Sequence, residues 1–319
     1  MDRGSSPLIS ANWESWETYI LKTLPPDHQT WENHLDIRLP ELRMLADALP
    51  DRPLGDVLEV GCGNGLASAY FSPHARSIVA SDLPQVRHEA HAIGLEKTKA
   101  VFEALGVKNA EIIGCSAEDL PFAECSFDSV LAVYSLEHLP QRKRALKELL
   151  RVLRPGGYLI AAVPAACWSL LYPFAFYADL ASRALKRLTL KWRQSQAVCQ
   201  SATCESHPGT DHVVRDWTSF RKAYPQFPLP TPHGEYKSYF DELTNLTPGR
   251  WITLLESSGF LDVGAISLSV IPRGMLQLMF GNLGLKWYSR LLPVERRMCR
   301  RKYGVRFAQF ICVVGHKYF

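Results

Sequence analysis

From residue 56 onward, short apolar runs alternate with amphipathic helical stretches, and the first run turns into its helix through glycines at alternate positions. Asp56 to Val60 leads into Gly61-Cys62-Gly63-Asn64-Gly65, and Leu66 to Phe71 follow. This alternation is the pattern of βαβ units and a parallel sheet, which sets an α/β, Rossmann-like fold class. Glycines at every second position let the backbone turn sharply and let a ligand approach where a Cβ would clash. A dinucleotide fingerprint would carry a third glycine at position 66, where this chain has Leu66. The loop by itself reads equally as a ligand cradle and as a plain tight turn.

A second apolar run, Ser77 to Ser81, ends in Asp82, about 20 residues past the glycine loop, where a carboxylate can grip ribose hydroxyls. The alternative is an acidic helix cap before Pro84. Taken together with the glycine turn at this distance, the ribose role outweighs the cap. Residues 141 to 153 place Leu146, Leu149, Leu150 and Leu153 on one helical face. Arg154-Pro155-Gly156-Gly157 then supplies the proline and glycine of a type II turn, which returns the chain to the sheet.

Further blocks follow in order: Cys115-Ser116-Ala117-Glu118-Asp119-Leu120-Pro121-Phe122, Phe127-Asp128-Ser129-Val130, Leu136-Glu137-His138-Leu139, and Glu148 to Gly157 before the apolar run Tyr158 to Val163. Over roughly residues 55 to 164 the chain resembles the class I S-adenosylmethionine (SAM) dependent methyltransferases, in particular the type 11 family. The resemblance implies a mostly parallel sheet with its last strand antiparallel, SAM as cofactor, and methyl transfer to an O, N or C atom of an acceptor. It implies that Glu59 and the loop Gly61, Cys62, Gly63, Asn64 and Gly65 face the methionine part of SAM, that Asp82 binds ribose, and that Leu83 lies against adenine. The family often has an aspartate toward the adenine amino group where this chain has Ser116, which can still accept a hydrogen bond, followed by Ala117, with Glu118 as a substitute acceptor. Tyr134 and the segment to His138 would lie near the transferred methyl group, since open α/β sheets bind ligands at the carboxyl ends of strands.

A sulfonium methyl is already electrophilic, so no metal is required, and a hydroxyl acceptor gains most from a general base. His138 is the first candidate base, or else a helix cap; His233, in Pro232-His233-Gly234-Glu235-Tyr236, is the second, or else a surface loop residue. Cys199, Cys204, His207 and His212 fit no common zinc spacing.

The expected organisation is an N-terminal helical lid over 1–54, a SAM-binding core over 55–164, a substrate cap over 165–247, and the rest of the core over 248–319. That last part holds a helix from Pro248 to Ser258, strands over Phe260 to Val270 and Phe307 to Val314, and a second insertion at 271–303. Trp13, Trp16 and Ile20, followed by Trp31 and Leu35, fit either a lid or ordinary core packing. The net charge of +4 is uneven: 180–193 carries five bases and no acid, and 273–306 carries nine bases and one acid. Each basic stretch follows apolar runs, Trp168 to Tyr177 in the first case and Met275 to Phe280 with Leu283 to Tyr288 in the second. These read as a chamber for a lipid-like acceptor, as a peripheral membrane contact, or as simple packing. Nucleic acid fits less well, because the bases are not interleaved with a recognition module. Prolines interrupt the longest uncharged run, which argues against a bilayer span. The N-terminus lacks a signal-peptide pattern and the eight cysteines are irregularly spaced, so a cytoplasmic setting is expected. Rival functions are a nicotinamide oxidoreductase and a non-catalytic membrane- or partner-binding protein on the same fold.

Overall fold

The computed structural model describes residues 13–24, 35–47, 53–84, 95–174, 232–272, 282–301 and 304–319, with isolated positions between. The elements run α1 (Trp13–Thr23), α2 (Leu35–Asp47), β1 (Asp56–Val60), α3 (Leu66–Phe71), β2 (Ser77–Asp82), α4 (Leu95–Leu105), β3 (Ala110–Gly114), β4 (Phe127–Val133), α5 (Arg142–Val152) and β5 (Leu153–Pro164). After a helical segment at 166–174 come α6 (Tyr239–Asn245), α7 (Pro248–Glu256), β6 (Leu261–Ser269), α8 (Asn282–Cys299), α9 (Gly304–Phe307) and β7 (Phe310–His316). The zinc-type residues 199–212, Trp31 and the basic stretch 182–193 lie outside the described residues.

Seven strands form one sheet in the order β3-β2-β1-β4-β5-β7-β6. The first five pair in parallel, and β7 runs antiparallel to both β5 and β6. The order reverses at β1, which pairs with β2 on one side and β4 on the other; such a switch point opens a crevice at the carboxyl ends of the strands. Helices cover both faces of the central strands, so these are apolar throughout: Val57, Leu58, Val130, Leu131, Leu159 and Ile160 are all buried. Gly156 has φ +78°, as the third position of a type II turn requires, and the turn sits inside β5 as a register shift against β4.

At the amino ends of the strands, Arg154 bridges Asp56 at 3.0 Å and Asp128 at 2.9 Å, while the Asp56 amide donates to Asp128 at 2.8 Å. This cluster ties β1, β4 and β5 together on the side away from the crevice. The last strand begins three residues later than the sequence suggests, at Phe310, because 304–307 close a helical turn first. Trp16 and Ile20 of α1 are buried, and Trp16 Nε1 donates to the Tyr70 carbonyl of α3 at 3.1 Å. So α1 packs on the outer layer, while α2 reaches the crevice through Arg38 and Glu41.

Candidate functional site

The glycine loop is held by its neighbours. A Cβ on Gly61 would lie 2.4 Å from the Ser135 Cβ, and one on Gly65 2.5 Å from the Thr98 Cγ2, with both glycines at positive φ. A Cβ on Gly63 would meet nothing within 4 Å, so the middle of the loop faces open space. Asn64 Oδ1 accepts from the Leu66 amide at 3.1 Å and starts α3. Cys62 is buried beside Thr98, and burial pushes its thiol well above the usual range, so it is no nucleophile.

Asp82 ends β2 with its carboxylate turned into this loop, accepting from the Gly63 amide at 2.8 Å and the Leu83 amide at 2.7 Å. Burial raises its pKa against these two donors. Each oxygen keeps a lone pair, and Leu83 beside it is exposed. Glu59 is buried at the end of β1, where it accepts from the Ser68 hydroxyl, and burial pushes its pKa up to about 8. A bound cation would reverse that shift.

On the third side of the crevice, Ser116 Oγ accepts from the Glu118 amide at 3.2 Å, and Ala117 lies between them. Glu118 Oε1 accepts from the Gln141 amide at 2.8 Å, so this carboxylate is engaged at the start of α5. Glu148 and Arg151 hold the loop, Glu148 accepting from the Leu120 amide at 3.1 Å and Arg151 donating to the Leu120 and Phe122 carbonyls.

Beyond β4, Tyr134 sits at φ +54°, a strained conformation for a residue with a side chain. Its amide donates to Ala162 at 2.8 Å, its hydroxyl lies 3.0 Å from Glu41, and its ring meets Phe310 edge to face. Next, the loop 136–138 meets the cap segment 232–236. The Glu235 amide donates to the Glu137 carbonyl at 2.9 Å, and Arg142 donates to the carbonyls of Leu136, Glu137 and Glu235 while lying over the Tyr236 ring. A Cβ on Gly234 would be 2.4 Å from that Glu137 carbonyl, so only glycine allows this approach.

The two histidines, far apart in sequence, are thereby adjacent: the rings of His138 and His233 are 5.0 Å apart, and Trp168 lies 4.7 Å from His233. Tyr172 and Phe310 extend the aromatic wall through Trp168. The Glu137 carboxyl is buried, Oε2 has no hydrogen-bond partner among the described residues, and burial pushes its pKa up to about 8. Ligand-type atoms of Glu137, His138 and His233 all lie within 4.8 Å of one another. Glu242 secures His233 by accepting from its amide at 3.0 Å. The sequence reading gave no role to Glu137, Arg142 or Glu242. Glu137 stands inside a block already singled out, whereas the other two carry no signal of their own.

Residues 58–161 match the family described as a methyltransferase domain. Among curated relatives, the chain is 35% identical over 111 residues to the ubiquinone/menaquinone biosynthesis C-methyltransferase UbiE of Geotalea daltonii, covering 34% of this chain and 45% of that protein. It is 35% identical to a phthiotriol/phenolphthiotriol dimycocerosates methyltransferase of Mycobacterium ulcerans, covering 33% and 35%, and 31% identical to the trans-aconitate 2-methyltransferase of Deinococcus radiodurans, covering 41% and 46%. In each case the chain spans less than half of the relative's length. Leu66 at the position of the third dinucleotide glycine, Asp82 latched to the glycine loop and the reversed β6-β7 pair agree with these matches, and residues 58–161 match the type 11 methyltransferase domain within a class I-type sheet.

Proposed function

We propose that the chain moves a methyl group from SAM to an oxygen, nitrogen or carbon atom of a small or lipid-like acceptor. The observation that carries this reading is the placement, at the same carboxyl end of the sheet, of the Gly63–Asp82 cradle and of an exposed histidine pair that lies against Trp168. The cradle fits SAM: Gly63 opens onto free space, Asp82 retains lone pairs for ribose hydroxyls, the exposed Leu83 offers an apolar face to adenine, and the buried Glu59 can take up the negative charge that an ammonium group needs beside it.

Bound there, SAM supplies an electrophilic sulfonium methyl. The chain's own part is to hold the acceptor in line and exclude water. Trp168, Tyr172 and Phe310 suit an apolar acceptor body. Two of the relatives are named for ubiquinone/menaquinone biosynthesis and for phthiotriol/phenolphthiotriol dimycocerosates. For a hydroxyl acceptor, the O–H bond breaks as the new O–CH3 bond forms, and His138 or His233 takes the proton on an imidazole nitrogen. Glu137, deep beneath the pair and protonated near neutrality, adds no negative charge there.

Methyl-labelled SAM offered with phenols of increasing alkyl chain length tests the reading. Label is expected in the organic extract, rising with chain length. His138→Ala and His233→Ala together should lower kcat by about 10² to 10⁴-fold while SAM affinity holds. Transfer that ignores both substitutions would remove the proton-accepting role.

The clustering of Glu137, His138 and His233 favours one second reading, because two imidazoles and a carboxylate also suit a divalent ion such as Zn²⁺. Dialysis against a chelator separates the two. The proton reading predicts an unchanged rate, and the cation reading a loss restored by Zn²⁺.

A further inference from the structure

Helix α8 presents two distinct faces. One is buried: Tyr288, Glu295 and Cys299 face the molecule. The other is exposed: Leu283, Trp287, Leu291, Val294 and Met298 are each 40–51% accessible. At 3.6 residues per turn these five project within an arc of about 80°, forming a continuous stripe along the helix. Scattered exposed apolar residues are ordinary on a soluble protein; an aligned row is a mark of an interaction surface.

Charge identifies what the stripe fits. Lys286, Arg290 and Arg297 border it on one side, and Arg296, Arg300 and Arg301 follow around the helix, all exposed. Glu295, the sole acid of 282–301, is buried and fully engaged. Ser289, Pro293 and the arginines 296, 297, 300 and 301 line a shallow groove on the next face of the helix, and Arg297 belongs both to it and to the border of the stripe. An apolar stripe with a basic border is the pattern of a helix lying in the interface plane of an anionic bilayer. No described helix is long and apolar enough to cross one.

The helix is rigidly placed. Glu295 accepts from the Ser269 hydroxyl at 3.0 Å and from the Val270 and Ile271 amides at 3.0 and 3.1 Å, and Tyr288 donates to its other oxygen. This fastens α8 to the carboxyl end of β6. Ser269 pairs with Phe310, whose ring lines the aromatic wall beside Tyr134 and Trp168. A second exposed apolar pair, Leu170 and Phe174, follows Cys167, whose thiol lies 3.5 Å from the Arg306 carbonyl just beyond α8.

We propose that the exposed face of α8 docks this protein on an anionic membrane surface, with the crevice end of the sheet toward the lipid. Docking requires neither SAM nor acceptor, so it stands or falls apart from the proposed methyl transfer. The test is co-sedimentation of the full chain with phosphatidylcholine vesicles, with and without phosphatidylserine. Binding is expected only with phosphatidylserine, and should weaken as salt rises. Replacing the three bases that border the stripe (K286Q, R290Q and R297Q) should lower binding by roughly 100-fold. Trp287→Ser with Leu291→Ser should lower it by at least about tenfold without changing its dependence on salt. These are surface positions, and unchanged circular dichroism and SAM affinity would confirm intact folding. Three results would overturn the proposal: no wild-type binding to phosphatidylserine vesicles; a dimer in solution that Trp287→Ser and Leu291→Ser dissociate, which assigns the stripe to a second copy of the chain; or binding to duplex DNA that vesicles fail to displace.

Discussion

Two carboxylates at strand ends differ in how they are held, and that difference sets their roles. Asp82 is met by two backbone amides and remains partly open, whereas Glu59 is sealed in against Ser68, whose hydroxyl donates to it. Burial raises Glu59 from a usual value of 4.5 to about 8, so at neutral pH the empty protein holds it protonated. The sign follows from linkage: the folded state binds the extra proton between these values, so this group's contribution to stability is full below 4.5 and lost as pH rises toward 8. An ammonium group placed beside it lowers the pKa again. SAM binding at pH 7 is therefore expected to release a proton, and affinity to rise with pH up to about 8. Calorimetry in two buffers of different ionisation enthalpy measures the proton count, and Glu59→Gln should abolish the release. A count of zero in the wild type would place the ammonium elsewhere.

At the scale of elements, the site depends on a latch between α5 and the cap loop. Arg142 donates to three carbonyls from two segments and covers the Tyr236 ring, which fixes His233 against His138. Arg142→Ala should cost about 2–4 kcal/mol of stability and raise KM for the acceptor, while SAM affinity stays within about twofold. Thermal denaturation and initial rates check both parts. The glycine turn, the strand before it and the helix after it were all legible in sequence, because local periodicity and glycine punctuation specify them. The histidine pair was legible only as two separate candidates, since no local pattern reports that residues 138 and 233 meet. Asp128 and Arg154 sit in blocks that resemble a family signature, yet they form the ion cluster at the opposite end of the sheet. Part of that signature thus encodes stability rather than chemistry. The start of β7 was misplaced for a local reason, the helical turn at 304–307.

Across the whole molecule, the candidate functional residues gather at one end of the sheet. The ion cluster braces the amino ends of β1, β4 and β5, while the glycine loop, Asp82, Tyr134 and the histidine pair stand at the carboxyl ends. Helix α8 is fastened at that same end, where the Ser269 held by Glu295 pairs with Phe310, whose ring meets Tyr134. The claim on which this arrangement depends is that the crevice holds SAM and no nicotinamide dinucleotide. Calorimetric titration of SAM and of NADH into the wild type and Asp82→Ala is the direct measurement. SAM should bind the wild type and weaken by roughly 100-fold in the variant, through loss of ribose contacts and of the Gly63 anchor, while NADH gives no heat of binding. NADH binding in the absence of any SAM binding would contradict the account.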